Sequence, residues 1–178
     1  LWLFADNILR ADDNAEHLYR YLKDKILDKK LIFVISKKSD DFKRLKNEGF
    51  NLVDPNSFRF LYLLFRADKI ISSHIDRYFY GAFGKNTLKT KDFIFLQHGI
   101  LEKDISSWLN ERKIDLLITS AKDEYESFVN NFSAYKLCKK QVRLTGLARH
   151  DKLLSLQKEK KYILIMPTWR RDLVGAFS

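Results

Sequence analysis

FIFLQHG, residues 93–99, is a run of four strongly apolar positions that stops on Gln97, His98 and Gly99. A short, continuous apolar and aromatic run predicts a strand covered on both faces, as strands of a parallel sheet are. Runs of the same kind recur at LWLF (1–4), LIFVIS (31–36), NLVD (51–54), KIISSH (69–74), DLLITS (115–120), QVRLTG (141–146) and YILIMP (162–167). Amphipathic stretches lie between them. AEHLYRYLKDKIL (15–27) places Leu18, Tyr21, Leu22 and Ile26 on one helical face, with Asp12, Asp13 or Asn14 to cap its start. SDDFKRLKNEG (39–49) reads as a helix closed by Gly49, and NSFRFLYLLFRA (56–67) as one capped by Asn56 or Ser57. SSWLNERK (106–113), AKDEYESFVNNF (121–132) and RHDKLLSLQK (149–158) complete the helical set. Strand and helix in alternation predict βαβ units: an α/β fold with a Rossmann-like parallel sheet and helices on both faces.

SLQKEKK (155–161) is the one linker-like segment. It predicts a first domain over 1–157, then a linker and the first strand of a second domain over 158–178. Both ends read as cuts out of a longer chain. LWLFADNILRADDN has too short an apolar run and the wrong flanks for a signal peptide.

In an open parallel sheet, ligands bind beyond the carboxyl ends of the strands. The predicted strands end on Ser72, Ser73 and His74; on Gln97, His98 and Gly99; on Thr119 and Ser120; on Thr145 and Gly146, with Arg149 and His150 next; and on Pro167, Thr168, Trp169 and Arg170. If they share one sheet, these groups collect along one edge. His98 there is able to take a proton from an attacking hydroxyl near neutral pH, and Gly99 to turn the backbone or admit a ligand. Arg170 has the planar fork that matches phosphate oxygens. Gly146 opening into a helix suits an anion. Each has a plainer reading. His98 fits a turn residue bonded to a carbonyl, His17 an exposed helix face, His150 a helix start, Thr119 and Ser120 helix caps, and Arg170 and Arg171 surface charge. The basic loop 77–91, with Tyr78, Phe79, Tyr80 and Phe83, reads either as a membrane or nucleic-acid patch or as a half-buried loop with a solvated rim.

Composition narrows the class. The chain has 178 residues, 46% of them hydrophobic and 14% aromatic, enough for a full core. Its net charge of +10 draws it to polyanions: nucleic acid, anionic lipid or phosphate-rich substrates. Cys138 is the single cysteine, which excludes a disulfide framework within the chain and fits a reducing compartment. No Cys/His cluster has metal spacing, and no run approaches the roughly 18 apolar residues of a membrane span.

WLF followed by DNAEHLYRYL, then SSH, FLQHGI, SSWLN with IDLLITSAKDEYES, TGLARHDKLL and ILIMPTWR form an ordered set from Trp2 to Arg170. In this order they resemble the CDP-glycerol glycerophosphotransferase family of teichoic acid and capsule polymerases. The resemblance implies the N-terminal half of a GT-B-type two-domain transferase. It implies His98 as the catalytic base, with Gly99, His74, Arg149, Thr168 and Arg170 on the substrate side and neither metal nor cofactor. It implies a CDP-glycerol or similar CDP-polyol donor, an anionic polymer or polyprenyl-lipid-linked acceptor, and peripheral work at the cytoplasmic face of the bacterial membrane, with no nucleic acid. The second family histidine and the acidic-Ser segment that holds the donor phosphates do not occur, so the chain alone is expected to be inactive. The alternative is a non-catalytic basic α/β domain that binds nucleotide, sugar or nucleic acid.

Overall fold

The computed structural model describes residues 1–75, 79, 88–101, 103–156 and 165. Seven strands form one parallel sheet: β1 Trp2–Ala5, β2 Leu31–Val34, β3 Leu52–Val53, β4 Lys69–Ser72, β5 Asp92–Phe95, β6 Leu116–Thr119 and β7 Val142–Leu144. Their spatial order is β3-β2-β1-β4-β5-β6-β7, and every adjacent pair is parallel. The direction of winding reverses between β1 and β4, which puts the ligand crevice of such a sheet outside the carboxyl ends of those two strands. The expected strand at 162–167 lies outside the described residues apart from Ile165.

The helices are α1 Asn14–Leu22, α2 Asp41–Asn47, α3 Phe58–Arg66, α4 Ser106–Leu109, α5 Lys122–Val129 and α6 Ala148–Ser155. Strand side chains alternate between the faces. Leu3, Ala5, Ile70, Phe93, Phe95 and Leu117 pack with Phe60 and Leu64 of α3, Leu109 of α4 and Phe128 of α5. Phe4, Phe33, Ile71 and Leu96 pack with Ala15 and Tyr19 of α1 and Leu45 of α2 on the other side. The two-sided burial expected from the apolar runs is therefore met by two helical layers.

Three local expectations are corrected. Helix α1 ends at Leu22, so Ile26 is not part of it, and Tyr21 is 62% exposed. Its buried aromatic is Tyr19, edge-on to Phe4 and stacked on Phe50 with ring centroids 4.3 Å apart. The Tyr19 hydroxyl accepts from the Asn51 amide at 3.0 Å, which satisfies the polar tip inside the core. Leu18 and Leu22 of the expected stripe do pack against the core, but α1 also buries its polar N-terminal turn, Asn14 and Glu16 included. His17 is the second correction: its side chain is only 8% exposed, held between Asp12 Oδ1 at 3.1 Å and Arg20 Nη1 at 3.2 Å. Burial lowers its pKa. The third is Lys91, counted with the basic loop. It is buried, and its ammonium donates to the carbonyls of Phe65 (2.8 Å) and Ala67 (3.0 Å) at the end of α3, where a cation complements the helix dipole. Of that loop, Phe79 is fully buried. Tyr78, Tyr80 and Phe83 lie outside the described residues.

Candidate active site

Asp6 follows β1 and is fully buried. Its carboxylate accepts from the amides of Asp13 (3.1 Å), Ala15 (2.9 Å) and Glu16 (3.1 Å), the free donors at the start of α1. The Ser73 hydroxyl, just past β4, donates to it at 2.5 Å. One carboxylate thus ties the two strands of the switch point to the first turn of α1. Burial pushes Asp6 up to about 7, against the hydrogen bond from Ser73. A carboxyl raised in the folded state stabilises the fold fully below its ordinary pKa, and that contribution is lost as pH rises through about 7. The stability of the unsubstituted protein relative to Asp6→Asn is therefore expected to fall by about 2–3 kcal/mol between about pH 5 and about pH 8, measured by urea unfolding. A flat difference would place the Asp6 titration elsewhere.

Asp13 is the N-cap of α1 and accepts from the Asn14 amide at 2.8 Å. The same carboxylate takes the Arg149 guanidinium at 3.1 Å and lies 3.8 Å from His74 Nε2. Asn14 is 1% exposed and reaches across the crevice. Its Nδ2 donates to the Gln97 carbonyl at 2.7 Å, and its Oδ1 accepts from the Arg149 amide at 3.1 Å. The first residue of α1 thereby fixes the loop after β5 and the start of α6. Asn14→Ala removes both bonds, one buried and one half-buried, and leaves a donor and an acceptor unpaired. Its expected cost is about 2–4 kcal/mol in thermal or urea unfolding.

Beyond β5 the chain turns at Gln97, whose φ of 60° is in the left-handed region. The Gln97 side chain is buried, its Nε2 donating to the Ile118 carbonyl at 2.7 Å and to Glu124 at 3.1 Å. Glu124 in turn accepts from the amides of Leu101 (3.2 Å) and Ser120 (3.0 Å). These bonds hold a conformation that costs a non-glycine residue energy. The turn expected at Gly99 is thus made two residues earlier. A Cβ at Gly99 meets nothing within 4 Å, and its φ is not positive. Gly99→Ala is accordingly expected to leave the melting temperature unchanged in calorimetry.

The turn leaves His98 exposed at the carboxyl end of β5. Its imidazole lies parallel to that of His74, with centroids 4.8 Å apart and planes 9° apart. His98, His74, Asp13 and Arg149, drawn from two strand ends and two helix starts, meet in one crevice. Arg149 spends its guanidinium on Asp13, and the α6 amide nearest to it on Asn14. The backbone turn before α6 is real, since Gly146 has φ 85°. Thr119 and Ser120 do not cap α5: Thr119 donates to the Arg143 carbonyl, and Glu124 takes the Ser120 amide. His150 sits in α6 as expected. Thr168 and Arg170 lie outside the described residues. Sequence reasoning passed over Asp6 and Glu124, placed Gln97 at a strand end without seeing its side chain turned inward, and weighed Asn14 only as a cap. The available signal was an acidic residue just past β1 followed by Asp-Asn at the next helix start.

The family model described as CDP-Glycerol:Poly(glycerophosphate) glycerophosphotransferase matches residues 1–178. The chain belongs to this family. Minor teichoic acid biosynthesis protein GgaB of Bacillus subtilis (strain 168) is 42% identical over 181 residues, covering 98% of this chain and 20% of GgaB. This glycerophosphotransferase-family chain thus spans about a fifth of that relative. The wall teichoic acid polymerase TagF has the same fold, with TM-score 0.60 and 17% identity over 86% of this chain and 40% of TagF. A second TagF structure, a histidine-to-asparagine variant with CDPG from a 15 minute soak, gives TM-score 0.63 and 15% identity over 96% of this chain and 48% of that one. Among the described residues no group of three or more His, Cys, Asp or Glu is placed to hold a metal ion, and no helix is long and apolar enough to cross a membrane.

Proposed function

We propose that this chain is the first Rossmann-like half of a GT-B-type transferase, with a second nucleotide-binding domain opening at 158–178. It moves glycerol phosphate, or a related polyol phosphate, from a CDP-activated donor to a teichoic acid-like or capsular polymer or lipid-linked primer. The observation that carries this reading is His98, solvent-facing at the carboxyl end of β5 and braced against His74 beside the switch point. Family membership supplies the donor class, and the relationship to GgaB supports a teichoic acid product. In the reaction a terminal acceptor hydroxyl attacks the β-phosphorus of CDP-glycerol. A new P–O bond forms, the bond to the CMP oxygen breaks, and the hydroxyl proton passes to the free imidazole nitrogen of His98. Phosphoryl transfer otherwise depends on positioning and charge stabilisation.

The net charge of +10 favours an anionic polymer and the anionic cytoplasmic leaflet together, which supports peripheral action there. The test is release of CMP from CDP-glycerol by the full-length protein, dependent on a poly(glycerol phosphate) acceptor. Tight, steeply salt-dependent binding of duplex DNA without CMP release would instead favour the non-catalytic basic domain.

A further inference from the structure

The loop between β1 and α1 is pinned on both sides of one arginine. Ile8 accepts from the Ser36 amide at 2.8 Å, and the Ala11 amide donates to Asp41 at 2.9 Å. Arg10 lies between them and forms an antiparallel bridge with Asn7, with the Arg10 amide on the Asn7 carbonyl at 3.0 Å and the Leu9 amide on Asn7 Oδ1 at 2.9 Å. The backbone of Arg10 is therefore set in place before any ligand arrives, which lowers the ordering cost of binding. Its side chain is exposed and lines a hollow of about 410 Å³ at the carboxyl end of β1, with Asn7, Asp13, His74 and Arg149.

The other charges around that hollow are matched. Arg149 bonds Asp13, and Lys152 and His17 both bond Asp12. Among the described residues the Arg10 guanidinium has neither an ion-pair partner nor a hydrogen bond. A cation with a fixed backbone, an unspent planar fork and a wall shared with His74, the ring stacked on His98, is suited to one ligand chemistry: a phosphate oxygen.

We propose that Arg10 binds a phosphate group of the substrate beside His98. This rests on the transferase reading and adds to it the residue that grips the anion. The phosphate belongs either to the acceptor's phosphodiester chain or to the diphosphate of the donor. Calorimetric titration of the full-length protein separates the two sources without requiring turnover, with short poly(glycerol phosphate) in one arm and CDP-glycerol in the other. Arg10→Gln is expected to raise Kd about 10- to 100-fold in one arm, as loss of a charge-assisted hydrogen bond does, with partial recovery in Arg10→Lys. A loss confined to the first arm assigns the acceptor; one confined to the second assigns the donor. Arg59→Gln, an exposed arginine on α3 at the other face of the sheet, makes the same change in net charge and is expected to leave both arms unchanged. Equal weakening by Arg59→Gln and Arg10→Gln, unchanged affinity in Arg10→Gln, or binding of neither probe by the unsubstituted protein would each overturn the assignment. Failure of CMP release with the Arg10 effect intact would count against the transferase reading alone.

Discussion

Glycerol phosphate transfer by the full-length His98→Ala protein is expected to fall by about 10²–10⁴, the usual worth of a positioned general base. The expectation rests on where the ring is. His98 is lifted out of the sheet by the left-handed turn at Gln97, and that turn is anchored to β6 and α5 through Ile118 and Glu124. Alanine at 98 removes the imidazole and touches none of these bonds, so the melting temperature should hold while turnover drops. His74→Ala is the informative companion. Its ring stacks on His98 and faces Asp13, so its loss frees the His98 rotamer without removing the base. A smaller fall in kcat is expected there than in His98→Ala. Single-turnover measurement of CMP release reads both. Near-normal turnover in His98→Ala would refute the assignment of the base.

A large effect on stability, and one with a distinctive pH dependence, is expected at Glu16. Its side chain is fully buried in the first turn of α1 and accepts four hydrogen bonds: Arg20 at 2.5 Å, Arg44 at 2.7 and 2.9 Å, and the Asp12 amide at 2.6 Å. Burial alone would raise its pKa, but the hydrogen bonds from Arg44 and Arg20 outweigh it and bring the carboxyl down to about 2. Glu16→Gln keeps the shape and removes the charge between two guanidinium groups. Breaking a buried pair costs about 3–5 kcal/mol. The arginines are 34% and 37% exposed and keep Glu48 as a partner, so solvent screening brings the expectation to about 2–3 kcal/mol. The pH dependence runs opposite to that of Asp6. A carboxyl lowered in the folded state contributes its stability above the ordinary carboxylate pKa and loses it as pH falls through about 2. The gap between the unsubstituted protein and Glu16→Gln should therefore close on acidification while the Asp6→Asn gap moves the other way. Urea unfolding of the three proteins across pH would show both trends, and a Glu16→Gln gap that persists in acid would mean that packing, not charge, sets its size.

The parallel sheet was legible in the chain because a strand covered on both faces must be apolar at nearly every position. LIFVIS and FIFLQHG satisfy that condition without reference to their neighbours. Helix starts were legible for a similar local reason: Asp13 caps the adjacent Asn14 amide and Ser57 the Phe60 amide three residues on. The His98 candidate followed from the same reading, since a strand that ends on polar residues at the carboxyl edge of such a sheet delivers them to the crevice.

What the chain by itself settled are properties carried by contacts between near neighbours: the alternation of strand and helix, the class of fold, and the position of His98 at a strand end. What only the tertiary structure decided are properties carried by residues far apart along the chain. Nothing local shows that Asp6 holds Ser73, that Asn14 joins Gln97 to Arg149, or that His74 lies flat against His98, because each pairing depends on the order of the strands in the sheet and, for Arg149, on α6 packing back against α1. The buried side of α1 was hidden for the same reason. A helix normally turns its apolar stripe inward, and Leu18 and Leu22 do face the core, but partners brought in by the fold also satisfy Glu16 and Asn14, and with those groups paired the polar end goes inside as well.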